Sequence, residues 1–232
     1  MTLINDFLSL IYPRHCEACK HALLQHENYL CNYCLIDLPR GNYHNQNDSE
    51  LNLVFAGRLM LNHVISLYRY EKSGRVQKLL HAIKYEGQKE MATFLGNLLG
   101  KNLKAEGFVS NFDTIIPVPL HIKKIKSRGY NQSEYFAKGL SESLQVPLKN
   151  DLIERVIETS TQTKKKKYER WENVEGIFKL TQKGVLKNKD VLLVDDVITT
   201  GATIEAAWLA LNEEEEIKIS VASIAFAAKI FG

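Results

Sequence analysis

Beyond residue 34 the sequence contains no cysteine, and nowhere in its 232 residues does an apolar run approach the roughly 18 residues of a membrane span. A spanning helix is therefore not expected. Neither charge sign dominates: 30 Lys and Arg stand against 27 Asp and Glu, a net charge of +3. No global field thus commits the chain to a nucleic-acid partner. No internal repeat is visible, which excludes a repeat array. The opening stretch MTLINDFLSLIYP lacks a positive n-region and carries Asp6 inside its apolar part, so it does not read as a secretory signal. Leu3, Phe7 and Leu10 fall instead at the spacing of a short amphipathic helix that ends before Pro13. With no route to an oxidising compartment, a disulfide framework has no support, and a cytoplasmic location is expected.

What the chain does have is four cysteines gathered near its start, Cys16, Cys19, Cys31 and Cys34, in the pattern C-x2-C-x11-C-x2-C. Two residues between cysteines let both thiolates of a knuckle face one ion, and two knuckles complete a tetrahedral set. Zinc is the expected occupant, in a closed site with a structural role. Buried free thiols or a redox pair are the other readings, and His15, His21 or His26 could replace a ligand. A polar stretch, GNYHNQNDSE from Gly41 to Glu50, follows as a linker. The expected organisation is a zinc-binding module with its linker over residues 1–50 and a larger domain over 51–232. Because a small metal site supplies its own folding energy, loss of a thiolate is expected to unfold the module and spare the larger core.

Past the linker, strand-like and helix-like segments alternate, which points to an α/β fold with a parallel sheet. Val64–Tyr70, Asp113–Leu120, Asp190–Val197 and Ile217–Phe226 read as strands. Ser73 can cap a helix that places Val76, Leu79, Leu80 and Ile83 on one face. Further helices are expected around Met91–Leu103, over Asn131–Leu144 with Phe136, Leu140 and Leu144 together, and over Thr200–Leu211 with Ile204, Ala207, Trp208 and Leu211 inward. The run Glu213–Glu216 reads as a solvated helix end.

The richest segment is VLLVDDVITTGAT, Val191 to Thr203. An apolar strand delivers two adjacent carboxylates, and a small-residue turn then opens a helix. Gly201 and Ala202 let backbone N–H groups approach an anion, and the new helix N-terminus adds donors and a favourable dipole. Thr199, Thr200 and Thr203 add hydroxyls. Asp195 and Asp196 suit ribose hydroxyls, which need acceptors. Because neighbouring strand residues point to opposite faces, the two are expected to converge only where the chain is leaving the sheet.

This string resembles the loop of type I phosphoribosyltransferases that binds phosphoribosyl pyrophosphate (PRPP). The resemblance implies a parallel sheet with helices on both faces. It also implies that Asp195 and Asp196 hold the ribose, that Val197, Ile198, Thr199, Thr200, Gly201, Ala202 and Thr203 carry the sugar phosphate, and that Mg²⁺ rides with the pyrophosphate. Upstream, Ile116–Leu120 is similar to the pyrophosphate loop, which implicates Pro117, Val118, Pro119 and Leu120, with Arg128 after them.

Further segments narrow the likeness: the tetracysteine module, Lys84-Tyr85-Glu86-Gly87, Arg128-Gly129-Tyr130-Asn131-Gln132, and Arg155, Thr159, Gln162, Arg170, Asn173-Val174 and Phe178. Together they resemble the ComF family of competence proteins, over nearly the whole chain. That likeness implies cytosolic handling of single-stranded DNA in natural transformation, contact with the competence machinery, and a phosphoribosyltransferase-like fold of unsettled reaction. An active transferase with a base or amine acceptor and a PRPP-sensing regulator are the alternatives. Lys123, Lys124, Lys126 and Arg128, and Lys164–Lys167 beside Tyr168 and Trp171, offer cations and aromatics to phosphates and bases. In the type I fold the second cluster lies in the loop that closes over PRPP, which implicates Gln162, Lys164, Lys165 and Arg170. Lys165 stands where the family usually has an apolar residue.

Overall fold

Four segments rich in Val, Ile and Leu pair side by side in the computed structural model, which describes residues 12–41, 50–105, 112–157, 176–213 and 216–227. They are β1 (Val64–Arg69), β2 (Thr114–Pro117), β5 (Asp190–Ile198) and β6 (Lys218–Phe226), in the spatial order β1-β6-β5-β2. Every pairing is parallel, with Leu193 opposite Val221 and Ile116 opposite Leu193. Such near-continuous apolar runs mark strands buried on both faces. Leu192, Val194, Ala222 and Ile224 point into one apolar cluster, and Val191, Leu193, Ile219 and Val221 into another.

Helices cover both faces. On the first lie α3 (Arg75–Tyr85), α4 (Lys89–Ala105) and α6 (Gln132–Leu144), which supply Leu79, Ile83, Leu95, Leu99, Phe136 and Leu140. On the second lie α2 (Glu50–Leu53), α7 (Ala202–Leu211) and an antiparallel ribbon of β3 (Ile153–Arg155) and β4 (Phe178–Leu180). Helices α4 and α6 meet backbone to backbone through glycines. A Cβ on Gly96 would sit 2.1 Å from the Phe136 carbonyl oxygen, and one on Gly139 would sit 2.0 Å from that of Thr93.

The cysteine-bearing segment is built around α1 (Asn32–Asp37) and joins the first face of the sheet. Cys16, Ala18, Leu30, Cys34 and Leu38 share one apolar cluster with Ile65, Leu67 and Leu79. Residues 39–41 run beside β1, where Arg69 N–H donates to the Pro39 carbonyl at 2.8 Å and Gly41 N–H to that of Leu67 at 2.9 Å. The expectation that this module unfolds while the rest stays intact conflicts with that shared interior.

Three local readings also differ. Gly74, not Ser73, caps α3; Ser73 has φ 63° and its N–H donates to the Gln77 side chain instead. Helix α5 (Ile122–Arg128) was not anticipated, because it buries no residue and so has no apolar stripe to read. Finally, β5 runs on through Ile198, so the chain does not leave the sheet at Asp195 and Asp196. The sequence expectations for residues 1–11, the linker over 42–49, and the loop over 158–175 with Gln162, Lys164, Lys165 and Arg170 fall outside the described residues. Among the described residues no helix is long and apolar enough to cross a membrane.

Candidate functional site

In an all-parallel sheet every strand ends at the same edge, and ligands of such folds bind there. Asp195 and Asp196 lie at that edge, 9% and 5% exposed. Helix α6 brings them together. Its N-cap Asn131 accepts from the Ser133 N–H and donates to the Val118 carbonyl at 3.1 Å, fixing the helix start against the β2 loop. The next two side chains then reach the acids: Gln132 Nε2 donates to Asp196 Oδ2 at 2.8 Å, and Ser133 Oγ to Asp195 Oδ1 at 3.0 Å. Adjacent residues of a helix N-terminus thus gather two acids that a regular strand would hold apart. The buried Gln132 Oε1 has no hydrogen-bond partner, which leaves an acceptor open beside Asp196.

Cations surround this pair. Lys84, from the end of α3, places Nζ 2.8 Å from Asp196 Oδ2. Lys124 and Arg128 lie one turn apart on α5, and Arg155 comes from β3. Burial, followed by the charges of Arg155, Arg128 and Lys84, pushes Lys124 below its ordinary value. Burial lowers Arg155 too, with the charge of Asp195 opposing the shift. Burial pushes the Asp195 carboxyl up to about 7, helped by the charge of Asp196. Four cations crowd two carboxylates, so a polyanion entering here would relieve repulsion rather than create it.

The two motifs Lys84–Gly87 and Arg128–Gln132 acquire physical roles. The Arg128 guanidinium lies 5.4 Å from the centroid of the Tyr85 ring. Gly129 takes φ 83° to end α5, and the Tyr130 hydroxyl donates to the Ile83 carbonyl. Lys84, Lys124 and Arg155 as partners of the acids were missed, since pairing across separate elements leaves no spacing signal in sequence.

After β5, Thr199 and Thr200 lead to Gly201, which has φ 76° and caps α7 with no side-chain cap. The first N–H groups of that helix are therefore free of a capping side chain, as an anion site requires. Gly201 also has a second reason to be glycine. A Cβ there would meet Phe55 Cε1 at 2.6 Å and Val54 Cγ1 at 3.0 Å. Arg58 fastens the same turn by donating to the Thr200 carbonyl at 2.9 Å and pairing with Glu205. Ala202 and Thr203 are exposed at the loop, whereas Ile198 is buried in the second cluster. In the β2 loop, Pro117 and Val118 are buried, and the Val118 N–H is spent on the Val194 carbonyl at 2.8 Å. Pro119 and Leu120 are half-buried.

Some distance away, Cys16, Cys19, Cys31 and Cys34 bring their sulfurs within 4.8 Å of one another. A tetrahedral zinc–thiolate site puts its sulfurs roughly 3.8 Å apart, from a Zn–S bond of about 2.3 Å. The Cys19–Cys31 separation of 3.7 Å fits that, so the cluster can hold a metal ion such as zinc. The Cys31 N–H lies 3.4 Å from Cys16 Sγ and the Arg75 guanidinium 3.7 Å from Cys34 Sγ, donors suited to thiolates. Glu27 braces the knuckle by accepting from the Leu24 and Asn32 N–H groups at 2.8 and 2.7 Å. His15, His21 and His26 are exposed and stand outside the cluster.

Comparison with known proteins adds three findings. The family model of the phosphoribosyl transferase domain matches residues 131–230. Competence protein F of Haemophilus influenzae is 40% identical over 46% of this chain and 48% of its own length. The DNA utilization protein YhgH of Escherichia coli O157:H7 is 31% identical over 58% of the chain and 60% of that protein. Competence protein ComFC of Bacillus subtilis is 26% identical, over 86% of the chain and 78% of its own length. The match thus spans about half of the first relative and three fifths of the second. The parallel sheet with helices on both faces is a type I phosphoribosyltransferase-like fold, with a four-cysteine cluster at the N-terminal side.

Proposed function

We propose, for a competence-related chain that joins a phosphoribosyl transferase domain to a four-cysteine cluster, that it binds PRPP with Mg²⁺ and handles single-stranded DNA in natural transformation. The observation that carries the PRPP reading is the buried Asp195–Asp196 pair ringed by Lys84, Lys124, Arg128 and Arg155, next to the uncapped start of α7. The acids accept from the ribose hydroxyls, and the open Gln132 Oε1 offers one further acceptor. Lys124, Arg128 and Arg155 face the pyrophosphate. The α7 N-terminus, with Thr199, Thr200 and Thr203, cradles the 5′-phosphate. Mg²⁺, once bound, screens the pyrophosphate charge; the two carboxylates are the oxygen ligands that the chain offers it. Zinc fills the cysteine cluster, and the module and linker over 1–50 precede the PRPP domain over 51–232.

The DNA reading rests on the relatives named for competence and DNA utilization, and on the outer face of α5. Lys123 and Lys126 are exposed there, while Lys124 and Arg128 turn toward the acids. The helix thus divides its cations between two tasks. Calorimetry with PRPP and Mg²⁺ tests the first: Asp196→Ala is expected to lose about 1.5–3 kcal/mol of affinity. Absence of PRPP binding by the wild type overturns the reading. Single-strand affinity should fall with salt, and removing Lys123 and Lys126 together should flatten the slope of log K against log salt by about 1.4. A wild type with no single-strand affinity at low salt would favour the transferase reading instead, in which phosphoribosyl passes from PRPP to an acceptor.

A further inference from the structure

Beside the phosphate loop, a pocket of about 280 Å³ opens between α3 and the ends of β1, β5 and β6. Its wall is the face of α3 next to the core stripe, where residues 77, 81, 84 and 85 stack at helical spacing. Tyr70, His81 and Tyr85 contribute rings, and Leu80 and Val197 contribute aliphatic surface. The His81 and Tyr85 rings already touch, with centroids 5.0 Å apart and planes at 50°. Arg128 over Tyr85 and the His81–Glu86 pair at 2.9 Å hold these rings from outside. Most of this wall lies before residue 131, outside the segment matched by the phosphoribosyl transferase model.

The lining discriminates between ligand classes. Of its side chains only Lys84 bears a fixed positive charge, and that charge is paired with Asp196 at 2.8 Å. A free phosphate or a phosphate-rich chain would find no unpaired cation here. A flat ring, by contrast, finds ring faces and aliphatic walls, with the polar ends of Gln77 and Thr199 at its edge. The volume admits one ring system and excludes a stacked run of nucleotides.

We infer that this pocket receives a planar nitrogen heterocycle of the nucleobase class, held beside the ribose of PRPP. The inference rests on the PRPP reading for the position of that ribose, because Thr199 belongs both to the pocket and to the phosphate loop. It also names the acceptor. A ring nitrogen bonds to the anomeric carbon as the carbon–oxygen bond to pyrophosphate breaks; pyrophosphate leaves with the electron pair, and the ring N–H proton passes to solvent.

The test uses the full chain with its metal and, as probes, the free bases adenine, hypoxanthine, uracil and cytosine. Binding is read by saturation-transfer NMR and calorimetry, and PRPP with Mg²⁺ is titrated separately. His81→Trp fills the pocket from its exposed rim, and Gln77→Trp does so one turn earlier; circular dichroism checks that both fold. At least one base should bind wild type, and each variant should weaken it roughly tenfold or more, the scale of a lost stacking contact. PRPP affinity should stay within about threefold. No bound base in a protein that does bind PRPP overturns the pocket and leaves the PRPP reading intact, as does a base that binds the folded variants undiminished. Base binding that these variants abolish, in a protein that does not bind PRPP, supports the pocket and overturns the PRPP reading.

Discussion

The Asp195 carboxyl, pushed up to about 7 by burial and by the charge of Asp196, holds its proton in the folded chain over a range where an unfolded Asp has already lost it. An unfolded Asp titrates near 3.9, so between about pH 4 and pH 7 the folded state binds more protons. Stability of the ligand-free protein should therefore fall as pH rises through that window, by on the order of 3 kcal/mol at about 1.4 kcal/mol per unit. Asp195→Asn removes the titration. Its melting temperature at pH 8 should exceed that of the wild type by about 5 °C, with the two converging near pH 4. Ligand-free thermal melts from pH 4 to 8 decide this; a wild type that gains stability over that range refutes it. Gly201 makes the second residue-scale case. Its positive φ and the nearness of Phe55 mean that Gly201→Val should cost about 2–4 kcal/mol without any ligand present. Adding Phe55→Ala should make the two losses sub-additive by about 1 kcal/mol, measured by urea midpoints as a double-mutant cycle. If Gly201→Val leaves ligand-free stability unchanged and only PRPP affinity drops, approach of phosphate is the sole reason for glycine there.

At the scale of elements, legibility follows the presence of a periodic apolar face. Strands β1, β2, β5 and β6 and helices α4, α6 and α7 each bury such a face, and all were readable from composition and spacing. Helix α5 buries nothing, and β3 and β4 have three residues each, too few for an alternation to register. The candidate site divides in the same way. Local spacing disclosed the cysteines and the Asp195–Gly201 string, whereas Lys84 and Arg155 reach the acids only through the packing of α3 and β3. The α4–α6 crossing was invisible for a related reason, since nothing in sequence says which two glycines meet. Gly139→Ala should nonetheless be among the most damaging single changes, at about 3 kcal/mol or more, because its Cβ would overlap a backbone oxygen. Guanidinium denaturation gives the measurement. A loss under about 1 kcal/mol would mean that the two helices part easily.

For the whole molecule, the cysteine cluster and the sheet share one apolar interior, and α3 ties them at both ends. Arg75 at its start pairs with Asp37 and approaches Cys34, while Gln88, just past its end, donates to Glu17 at 3.2 Å. Stripping the metal, or Cys34→Ser, should therefore lower the stability of the entire chain in one transition, and PRPP affinity with it, through Lys84. Differential scanning calorimetry with and without chelator reads this, and two separate transitions would show the segment to be autonomous. Arg58 and Thr200 belong to the same body, joined although 142 residues apart. The ribosome delivers the Val54–Arg58 stretch early and the phosphate loop near the end. The turn at Gly201 has its final shape only against Phe55, so the earlier stretch waits, its apolar surface uncovered, until nearly all of the remaining chain has emerged. Such a long-range closure is slow. The nascent chain is thus most exposed to proteases and to self-association in the interval before its ligand site exists, and a synonymous change that slows translation before residue 200 would lower yield without altering one atom of the finished protein.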